Sequence, residues 1–239
     1  MTPTDVSEWR EATLTKVTDQ TPTAKTFLFR FDGPSTHLPG QYYELQLTAE
    51  DGYQAARPYS ASAPAKSDHT VELTVELMPD GEVSPYLFDR LAVGDKVELR
   101  GPLGKFFVWE PSMLEPFLLL AGGSGVIPAR CVLMAYEQAE SNVPMALLYS
   151  ASSFENIIFK GELLDSDKVT TTLTGSHPDD WKGKVGRIDL PLVEEILAAL
   201  PPQPMCYVCG MTPFVEAAIG LLLEAGVPPA RIKAERFGA

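Results

Sequence analysis

The first half of the chain alternates apolar and polar positions over short stretches that are separated by turn residues. Alternation with a period of two is typical of β-strands that bury one face. The intervening segments DGPS, LPGQ, EDG and PDGE carry the glycine, proline and aspartate that favour turns. The pattern predicts strands at residues 12–18, 25–31, 42–47, 71–77 and 96–100. Strands at this spacing indicate a small antiparallel barrel.

The pattern changes after residue 111, where apolar runs alternate with helical periodicity. The continuous run FLLLA at residues 117–121 predicts a strand that is buried on both faces. Further strands are predicted at residues 145–149, 169–173, 205–208 and 232–234, and helical segments at 129–139 (amphipathic), 155–164, 190–200 and 213–225. Strand alternating with helix favours a mostly parallel sheet with helices on both faces. We therefore expect two domains, residues 1–112 and 113–239.

The acidic charge balance disfavours two classes of binding partner. Its 19 lysines and arginines against 32 acidic residues give a formal net charge of −13. Nucleic acid and anionic membrane surfaces need clustered positive charge, so neither is an expected partner. Since no apolar run approaches the ~20 residues that span a bilayer, and the N-terminal sequence lacks a signal-peptide pattern, no membrane span is expected.

Cysteine and histidine usage disfavours a metal centre. Three cysteines in a chain of 239 residues indicate a reducing compartment and a cytoplasmic protein. Three cysteines cannot complete a four-cysteine cluster, and the three histidines are scattered along the chain. No metal site is predicted.

The first segment with candidate chemistry is Arg57-Pro58-Tyr59-Ser60, which is expected to open a strand. An arginine fork can hold a pyrophosphate through two hydrogen bonds, while a tyrosine can lie along an aromatic ring system and a serine hydroxyl can reach a ring nitrogen. The same residues would also suit an exposed arginine, a tyrosine on the barrel face and a turn serine.

The segment Asp80-Gly81-Glu82-Val83-Ser84 is a second candidate. It runs into a helix predicted at residues 84–91, in which Ser84 offers a cap and the following proline suits the first helical position. Backbone N–H groups at a helix start can bind an anion, although a capped turn that binds nothing would have the same pattern.

The glycine-rich segment AGGSGVIP at residues 121–128 is the third candidate. It follows a buried strand and precedes a helix, which is the context in which a glycine-rich loop receives a pyrophosphate. Its spacing is GGxG, not GxGxxG.

The last candidates lie near the C-terminus. Cys206 and Cys209 form a CxxC pair, but residues three apart on a strand point to opposite faces, so a redox pair is not favoured. Cys209 alone, at the carboxyl edge of the sheet, suits a ligand-facing position, or it is simply a small buried residue. An aromatic residue near the end, Phe237, can stack on a flat ligand, or it anchors a frayed tail.

Together these segments resemble the ferredoxin–NADP reductase superfamily, and within it stand-alone FAD-binding oxidoreductases similar to the reductase components of bacterial oxygenases. The resemblance runs from LPGQ near residue 40 to ERFG at the end and rests on the order and spacing of the segments. It implies an N-terminal antiparallel Greek-key β-barrel that binds FAD, followed by a Rossmann-like parallel α/β domain that binds NAD(P). The optional iron–sulfur domain of the family is not expected.

By resemblance, Arg57 holds the flavin pyrophosphate, Tyr59 packs along the flavin and Ser60 hydrogen-bonds near its N5. The implied FAD-binding set is Arg57, Pro58, Tyr59, Ser60, Val75, Leu77, Gly81, Val83, Ser84 and Phe237. The implied NAD(P)-binding set is Gly122, Gly123, Ser124, Gly125, Ser152, Arg187, Cys209, Gly210 and Met211.

One departure from the family bears on the choice of nucleotide. Ser152 stands where relatives often carry an arginine for the adenosine 2′-phosphate, which weakens the case for NADPH. Lys182, Lys184 and Arg187 could still supply positive charge, or they could form a solvated loop. NADH and NADPH both remain candidate electron donors.

The resemblance implies an NAD(P)H-dependent flavoprotein reductase. Hydride would pass from the nicotinamide to FAD, and electrons would then pass to a ferredoxin-like or oxygenase-type protein acceptor. The implied catalytic residues are Ser60, Cys209 and Glu235, and Phe237 would have to move for hydride transfer. The alternatives are an electron-transfer subunit of a larger complex, a reductase of free flavin, and a non-catalytic binding module of the same fold.

Overall fold

The computed structural model describes residues 8–237. Residues 1–7 and 238–239 lie outside the described residues. The expected domain limits include both stretches, and the predicted C-terminal tail includes the second. The chain forms two compact units. The first contains the described part of Met1–Glu110 together with Arg130–Ala135, and the second contains Pro111–Ala129 together with the described part of Tyr136–Ala239.

The first unit is built on a six-stranded antiparallel sheet. Its strands and one helix are β1 (Arg10–Thr21), β2 (Ala24–Phe31), β3 (Tyr42–Thr48), β4 (Gln54–Ser60), β5 (Thr70–Glu76), α1 (Val83–Asp89) and β6 (Lys96–Leu103). The strand order is β4-β3-β6-β1-β2-β5. The ends of this order meet where Ala61 pairs with Leu73, and the Ser62 N–H donates to the Glu72 carbonyl at 2.9 Å. The sheet therefore closes, and the expected antiparallel barrel is confirmed.

Alternating side chains of these strands fill the barrel core. Phe27, Phe29, Leu45 and Leu73 have no exposed surface. Complete burial of one such side chain stabilises the fold by about 1.5–3 kcal/mol. The period of two in the sequence thus corresponds to the inward face of each strand.

The strand β4 was missed, and the prediction that Arg57 to Ser60 opens a strand was wrong, because these residues close β4. Its sequence lacks the alternating hydrophobic pattern of a strand, because only its last residue is buried. Pro58 is tolerated because β4 pairs only with β3 at this residue, and the bridge that closes the sheet lies beyond it at Ala61.

The short helix α1 begins one residue earlier than predicted, at Val83, and Glu82 occupies the N-cap position. Ser84 is therefore not the cap. Its hydroxyl accepts a hydrogen bond from the Met78 N–H at 2.9 Å and so holds the preceding turn.

The second unit is a six-stranded parallel sheet with intervening helices. Its elements are β7 (Phe117–Gly122), α2 (Val126–Gln138), β8 (Met145–Ala151), α3 (Lys160–Leu164), β9 (Val169–Leu173), β10 (Lys184–Val185), α4 (Leu190–Ala198), β11 (Met205–Met211), α5 (Thr212–Glu224) and β12 (Ile232–Phe237). The strand order is β10-β9-β8-β7-β11-β12. The expected Rossmann-like α/β architecture is confirmed. Among residues 8–237, no helix has both the length and the hydrophobicity needed to cross a membrane.

The strand order reverses at β7, because β8 lies on one side of it and β11 on the other. Ligands of such sheets bind outside the carboxyl ends of the strands at this switch point. The glycine-rich segment follows β7, as a 3₁₀ turn at Gly123–Gly125, and the Cys209-Gly210 pair ends β11. The topology thus brings together two segments that are far apart in sequence.

Three details of the second unit differ from the prediction. The helix α2 is not amphipathic, because Val126–Leu133 is buried on every side. Its segment Arg130–Ala135 packs within the first unit and its remainder within the second. The helix α3 begins only at Lys160, since Phe159 has a positive φ of 58°. The two-residue strand β10 was not predicted, because both its residues are exposed.

Candidate functional site

In the barrel unit, the structure brings the Arg57 segment and the turn around Gly81 together. The Arg57 side chain is half exposed, and its Nη2 atom lies 3.2 Å from the Glu82 carboxylate. Tyr53 Oη donates to the same carboxylate at 2.9 Å. Arg57 Nη1 donates to the carbonyl of Ala56 at 2.8 Å, which helps to hold the guanidinium in place. A solvent-accessible guanidinium in this position can bind an anionic group of a ligand.

Tyr59 and Ser60 lie at the end of β4, where the strand becomes buried. Tyr59 packs against the barrel core, and burial raises the pKa of its phenol. Its ring therefore remains neutral at any physiological pH. Ser60 is 6% exposed and is the last residue of the strand. The end of β4 thus passes from an exposed to a buried environment within about 10 Å, from Arg57 to Ser60.

The remaining members of the expected flavin set contribute mostly through the backbone. The side chains of Val75 and Val83 are each 1% exposed and point into the core. Leu77 donates its backbone N–H to Thr23 at 2.8 Å. Gly81 leaves little room for a side chain, since an added Cβ would lie 3.0 Å from the Met78 carbonyl. Backbone groups of these residues, more than their side chains, are what a ligand could contact.

Sequence reasoning did not single out Tyr53 or Glu82 as interacting residues. Tyr53 is 57% exposed, and Glu82 belongs to a turn whose glycine and serine were the predicted ligand-binding residues. A carboxylate that faces the proposed phosphate-binding arginine has no signal in a single sequence, because β4 and α1 are distant along the chain. Only the fold reveals this contact.

In the α/β unit, the glycine-rich loop packs directly on the end of β11. A Cβ on Gly125 would lie 2.0 Å from the Cys209 carbonyl oxygen, and one on Gly122 would lie 2.5 Å from the Phe214 ring. These two glycines are therefore required for packing. Gly123 has a positive φ of 55° with nothing within 4 Å of an added Cβ, so the loop is open to approach at this residue. Ser124 lies beside it and is partly exposed.

Cys209 and Glu235 are opposite each other on β11 and β12. Cys209 is completely buried, and burial, followed by the nearby Glu235 carboxylate, raises the pKa of its thiol well above the usual value. Burial raises the pKa of Glu235 to about 7. Cys209 therefore remains an uncharged thiol, while Glu235 can change its protonation state near neutral pH.

Met211 and Phe237 form a further pair along these strands. Met211 is 58% exposed, and Phe237 is partly buried at the last described position. Gly210 has a φ of 158°, and a Cβ there would lie 2.8 Å from the Phe214 ring. The carboxyl edge of β11 and β12 thus offers an aromatic ring, a thioether and a carboxyl group in close succession, next to the buried thiol of Cys209.

Ser152 and Arg187 lie farther along the sheet edge. Ser152 follows β8 directly and accepts a hydrogen bond from Asn156 Nδ2 at 3.0 Å. Arg187 is exposed and follows β10, so that β9 and β8 separate it from β7. Lys184 forms a solvent-exposed ion pair with Glu195 at 2.7 Å, and such exposed pairs are weak. Lys182, Lys184 and Arg187 therefore all remain candidates for nucleotide binding.

The two residue sets fit a flavin and a nicotinamide nucleotide. The barrel offers an accessible guanidinium next to a partly buried aromatic ring, and the α/β unit offers an open glycine loop at its switch point. In the part of the chain that the structure describes, no three His, Cys, Asp or Glu side chains are grouped as metal ligands would be.

Comparisons with known proteins assign a cofactor-binding domain family to each of the two parts of the chain. The profile of the oxidoreductase FAD-binding domain family matches residues 11–108, and that of the oxidoreductase NAD-binding domain family matches residues 119–219. The glycine betaine monooxygenase reductase subunit of Pseudomonas aeruginosa is 29% identical over 234 residues, which cover 93% of this chain and 63% of that protein. The chain thus spans less than two thirds of the length of this curated relative.

Two solved structures share the fold and part of the sequence. The flavohem-like FAD/NAD binding domain of nitric oxide dioxygenase from Vibrio cholerae O1 biovar El Tor superposes with a TM-score of 0.83 at 25% identity, covering 96% of this chain and 99% of that one. The ferredoxin reductase in carbazole 1,9a-dioxygenase has a TM-score of 0.82 at 27% identity, covering 97% and 70%. The chain belongs to the ferredoxin–NADP reductase superfamily, with an FAD-binding barrel followed by an NAD-binding α/β domain.

Proposed function

We propose that the protein is an FAD-dependent NAD(P)H oxidoreductase that supplies electrons to a ferredoxin-like or oxygenase-type protein. The main support is the accessible Arg57 guanidinium on an FAD-binding domain, combined in one chain with an open glycine loop on an NAD-binding domain. When bound, FAD accepts a hydride from NAD(P)H and releases electrons to the acceptor. The acceptor class is proposed from the glycine betaine monooxygenase reductase subunit, which is named as an oxygenase component.

In the barrel, Arg57 would bind the pyrophosphate through its guanidinium. The Tyr59 ring, held against the core, would supply a fixed apolar surface for the flavin. Ser60 would present its hydroxyl at the point where the strand ends. Pro58 removes one backbone donor between them and fixes the local backbone. Backbone groups of Val75, Leu77, Gly81, Val83 and Ser84 complete the proposed flavin site.

In the α/β domain, Gly123 and Ser124 would receive the pyrophosphate of the nicotinamide nucleotide. Gly122, Gly125 and Gly210 hold the ends of β7 and β11 close enough to form that surface. Ser152 would face the adenosine ribose, and Arg187 would add positive charge along the sheet edge. A neutral serine paired with Asn156 suits a ribose hydroxyl better than a phosphate, so we propose NADH as the preferred donor.

The residues nearest the chemistry would be Ser60, Cys209 and Glu235. Cys209, held as a neutral thiol by burial, would shape the nicotinamide slot without adding charge. Glu235, with a pKa of about 7, can hold or release a proton at its carboxylate near neutral pH. Phe237, opposite Met211, would cover the nicotinamide position and move aside during turnover.

We also propose domain limits at residues 1–112 and 113–239 and a cytoplasmic location. The two family profiles fall on either side of the proposed boundary. All three cysteines are free and buried, as is usual for proteins of reducing compartments.

Substitution of Arg57 tests the flavin part of the proposal. Arg57→Met should weaken FAD binding at least about tenfold, because a charge-assisted bond to phosphate contributes roughly 1.5–3 kcal/mol. Arg30→Met is the matched control, since Arg30 is an exposed arginine on β2 of the same unit. Titration of the apoprotein by quenching of FAD fluorescence gives the affinities. Equal FAD affinity of the two variants would contradict the role of Arg57.

A further inference from the structure

Glu82 faces the arginine to which the proposed function assigns the pyrophosphate of FAD. Its Oε2 atom accepts a hydrogen bond from Arg57 Nη2 at 3.2 Å, and its Oε1 atom accepts one from Tyr53 Oη at 2.9 Å. Glu82 occupies the N-cap position of α1, yet its carboxylate bonds to these two side chains and not to the start of the helix. The carboxylate is therefore part of the immediate environment of the guanidinium.

Two turns hold the carboxylate in this place. The Gly81 N–H donates to the Met78 carbonyl at 2.8 Å, which fixes the turn just before Glu82. In the β3–β4 hairpin, the Ala49 N–H donates to the Tyr53 carbonyl at 2.8 Å. Because the Glu82 carboxylate accepts the phenolic proton and its charge disfavours a phenolate, it raises the pKa of Tyr53. Tyr53 therefore remains a hydrogen-bond donor to Glu82 at neutral pH.

Glu82 and a bound pyrophosphate would use the same guanidinium nitrogen. A phosphate held through two parallel N–H bonds contacts either Nε and Nη2 or Nη1 and Nη2 of an arginine. Nη2 of Arg57 is the atom that donates to Glu82, and Nη1 already donates to the Ala56 carbonyl at 2.8 Å. Two acceptors on one nitrogen lie about 5 Å apart, so a phosphate oxygen at Nη2 would lie beside the Glu82 carboxylate. Either the two anions repel each other at this distance or the bond to Glu82 breaks.

The exposure of the pair sets the size of the effect. Both side chains are about half exposed, and exposed ion pairs are weak, so the carboxylate can leave the guanidinium when a phosphate binds. Water also screens the repulsion between carboxylate and phosphate. One such pair and one such repulsion together correspond to about three- to tenfold in affinity. Glu82 therefore weakens phosphate binding without preventing it.

We propose that Glu82 competes with the pyrophosphate of FAD for the Arg57 guanidinium and so keeps the flavin exchangeable. The inference rests on the proposed function in one respect, namely that Arg57 binds the pyrophosphate. Arg57 provides the attraction, and Glu82 lowers the affinity that this attraction would give alone. Glu82 thus sets how readily the protein loads and releases its flavin.

The test is a titration of the apoprotein with FAD, followed by quenching of flavin fluorescence, for the wild-type protein and for Glu82→Gln. Glutamine keeps the shape of the side chain and an acceptor oxygen but removes the negative charge. Glu82→Gln should therefore bind FAD about three- to tenfold more tightly than the wild-type protein. This gain should shrink in 1 M KCl, where the Debye length is only about 3 Å.

Two further variants connect the gain with the Arg57 contact. Asp80→Asn removes the same charge from the same turn, and Asp80 is not among the hydrogen-bond partners of Arg57 in the described part of the chain. It should change FAD affinity less than about twofold. In the Arg57→Met background, Glu82→Gln should give a clearly smaller gain, because the shared guanidinium is gone. Thermal unfolding monitored by circular dichroism identifies any variant that fails to fold.

A folded Glu82→Gln protein with wild-type or weaker FAD affinity would overturn the inference, since Glu82 would then have no effect or would hold Arg57 in place for the ligand. The same gain in Asp80→Asn, or an undiminished gain in the Arg57→Met background or in 1 M KCl, would overturn it as well. These outcomes leave the flavin site intact. A wild-type protein that binds no FAD and oxidises neither NADH nor NADPH would instead refute the proposed function, and the inference with it.

Discussion

Gly125→Ala perturbs the contact on which the proposed nucleotide site depends. The new Cβ would lie 2.0 Å from the Cys209 carbonyl oxygen, 2.4 Å from its carbonyl carbon and 2.7 Å from the Gly210 nitrogen. All three atoms belong to the backbone of β11, so no side-chain rotation can relieve the clash. The glycine loop and the end of β11 would have to separate by more than about 1 Å to restore ordinary van der Waals contact.

The cost of that separation follows from the pairing of β11. This strand is hydrogen-bonded to β7 on one side and β12 on the other, so its end cannot shift without loss of pairing. Overpacking of a tight interior costs about 1–3 kcal/mol and occasionally more, and a backbone clash belongs at the upper end of this range. For a chain of this size, about 3 kcal/mol lowers Tm by roughly 6–12 °C.

Thermal unfolding monitored by circular dichroism measures the effect, and Gly220→Ala provides the matched control. Gly220 lies exposed in α5 of the same unit, with nothing within 4 Å of an added Cβ. Alanine in an exposed helix interior is more favourable than glycine by about 0.5–1 kcal/mol, so this variant should be slightly more stable than the wild-type protein.

The affinity for the nicotinamide nucleotide should also fall in Gly125→Ala and stay unchanged in Gly220→Ala. Gly125→Ala moves the loop that contains Gly123, whereas Gly220→Ala leaves that loop in place. A Gly125→Ala protein whose Tm lies within about 1 °C of the wild-type value, with unchanged NADH affinity, would show that the loop does not pack on β11 as tightly as described.

Three further predictions concern buried ionisable groups. Arg130 Nη1 lies 2.7 Å from the Glu72 carboxylate, and both side chains are largely buried. Because Arg130→Met leaves the Glu72 carboxylate buried without this partner, it should lower the free energy of unfolding, measured by urea denaturation, by about 3–5 kcal/mol. A change below about 1 kcal/mol would contradict this prediction. Burial raises the pKa of Glu235 from 4.5 to about 7, so the folded apoprotein binds the extra proton and its stability falls as pH rises through this window. Glu235→Gln should abolish up to about 3 kcal/mol of this pH dependence, and identical pH profiles of variant and wild type would disprove the assignment. Burial lowers the pKa of His37, whose Nε2–H donates to the Ala63 carbonyl at 2.8 Å, so the stability that this residue contributes is present above pH 6.5 and is lost as pH falls through its lowered pKa. His37→Gln should flatten the acid limb of the stability profile, and an unchanged limb would argue against this contribution.

Periodicity predicted most of the strands because they carry the core. The strand β9 has the predicted limits, and β7 extends the predicted strand by a single residue. Both lie inside the parallel sheet, where a continuous hydrophobic run is typical of a strand covered on both faces. Elements that bury little, such as β4 and β10, left no comparable pattern.

The helix limits depended on local geometry that periodicity does not contain. The positive φ of Phe159 delays the start of α3, and burial on every side conceals the helical period of α2. The amphipathic pattern assumed for α2 holds only for a helix with one solvent-facing side.

Residue type and spacing indicated the candidate segments and the resemblance implied their roles, but neither indicated the contacts between the segments. The sequence indicates that Gly125 belongs to a loop, yet only the strand order shows that its missing Cβ admits the Cys209 backbone. Likewise, the pairing of Arg57 with Glu82 depends on the approach of β4 and α1. Contacts between segments that are distant in sequence follow from the order of the strands in each sheet. Local patterns along a single sequence do not contain this order.

The proposed reductase activity is best tested with the absorption spectrum of the purified protein, reconstituted with FAD, before and after anaerobic addition of NADH or NADPH in separate cuvettes. We expect flavin absorption bands that bleach on addition of NADH and bleach more slowly with NADPH. A protein that takes up no FAD and oxidises neither nucleotide would contradict the proposed activity.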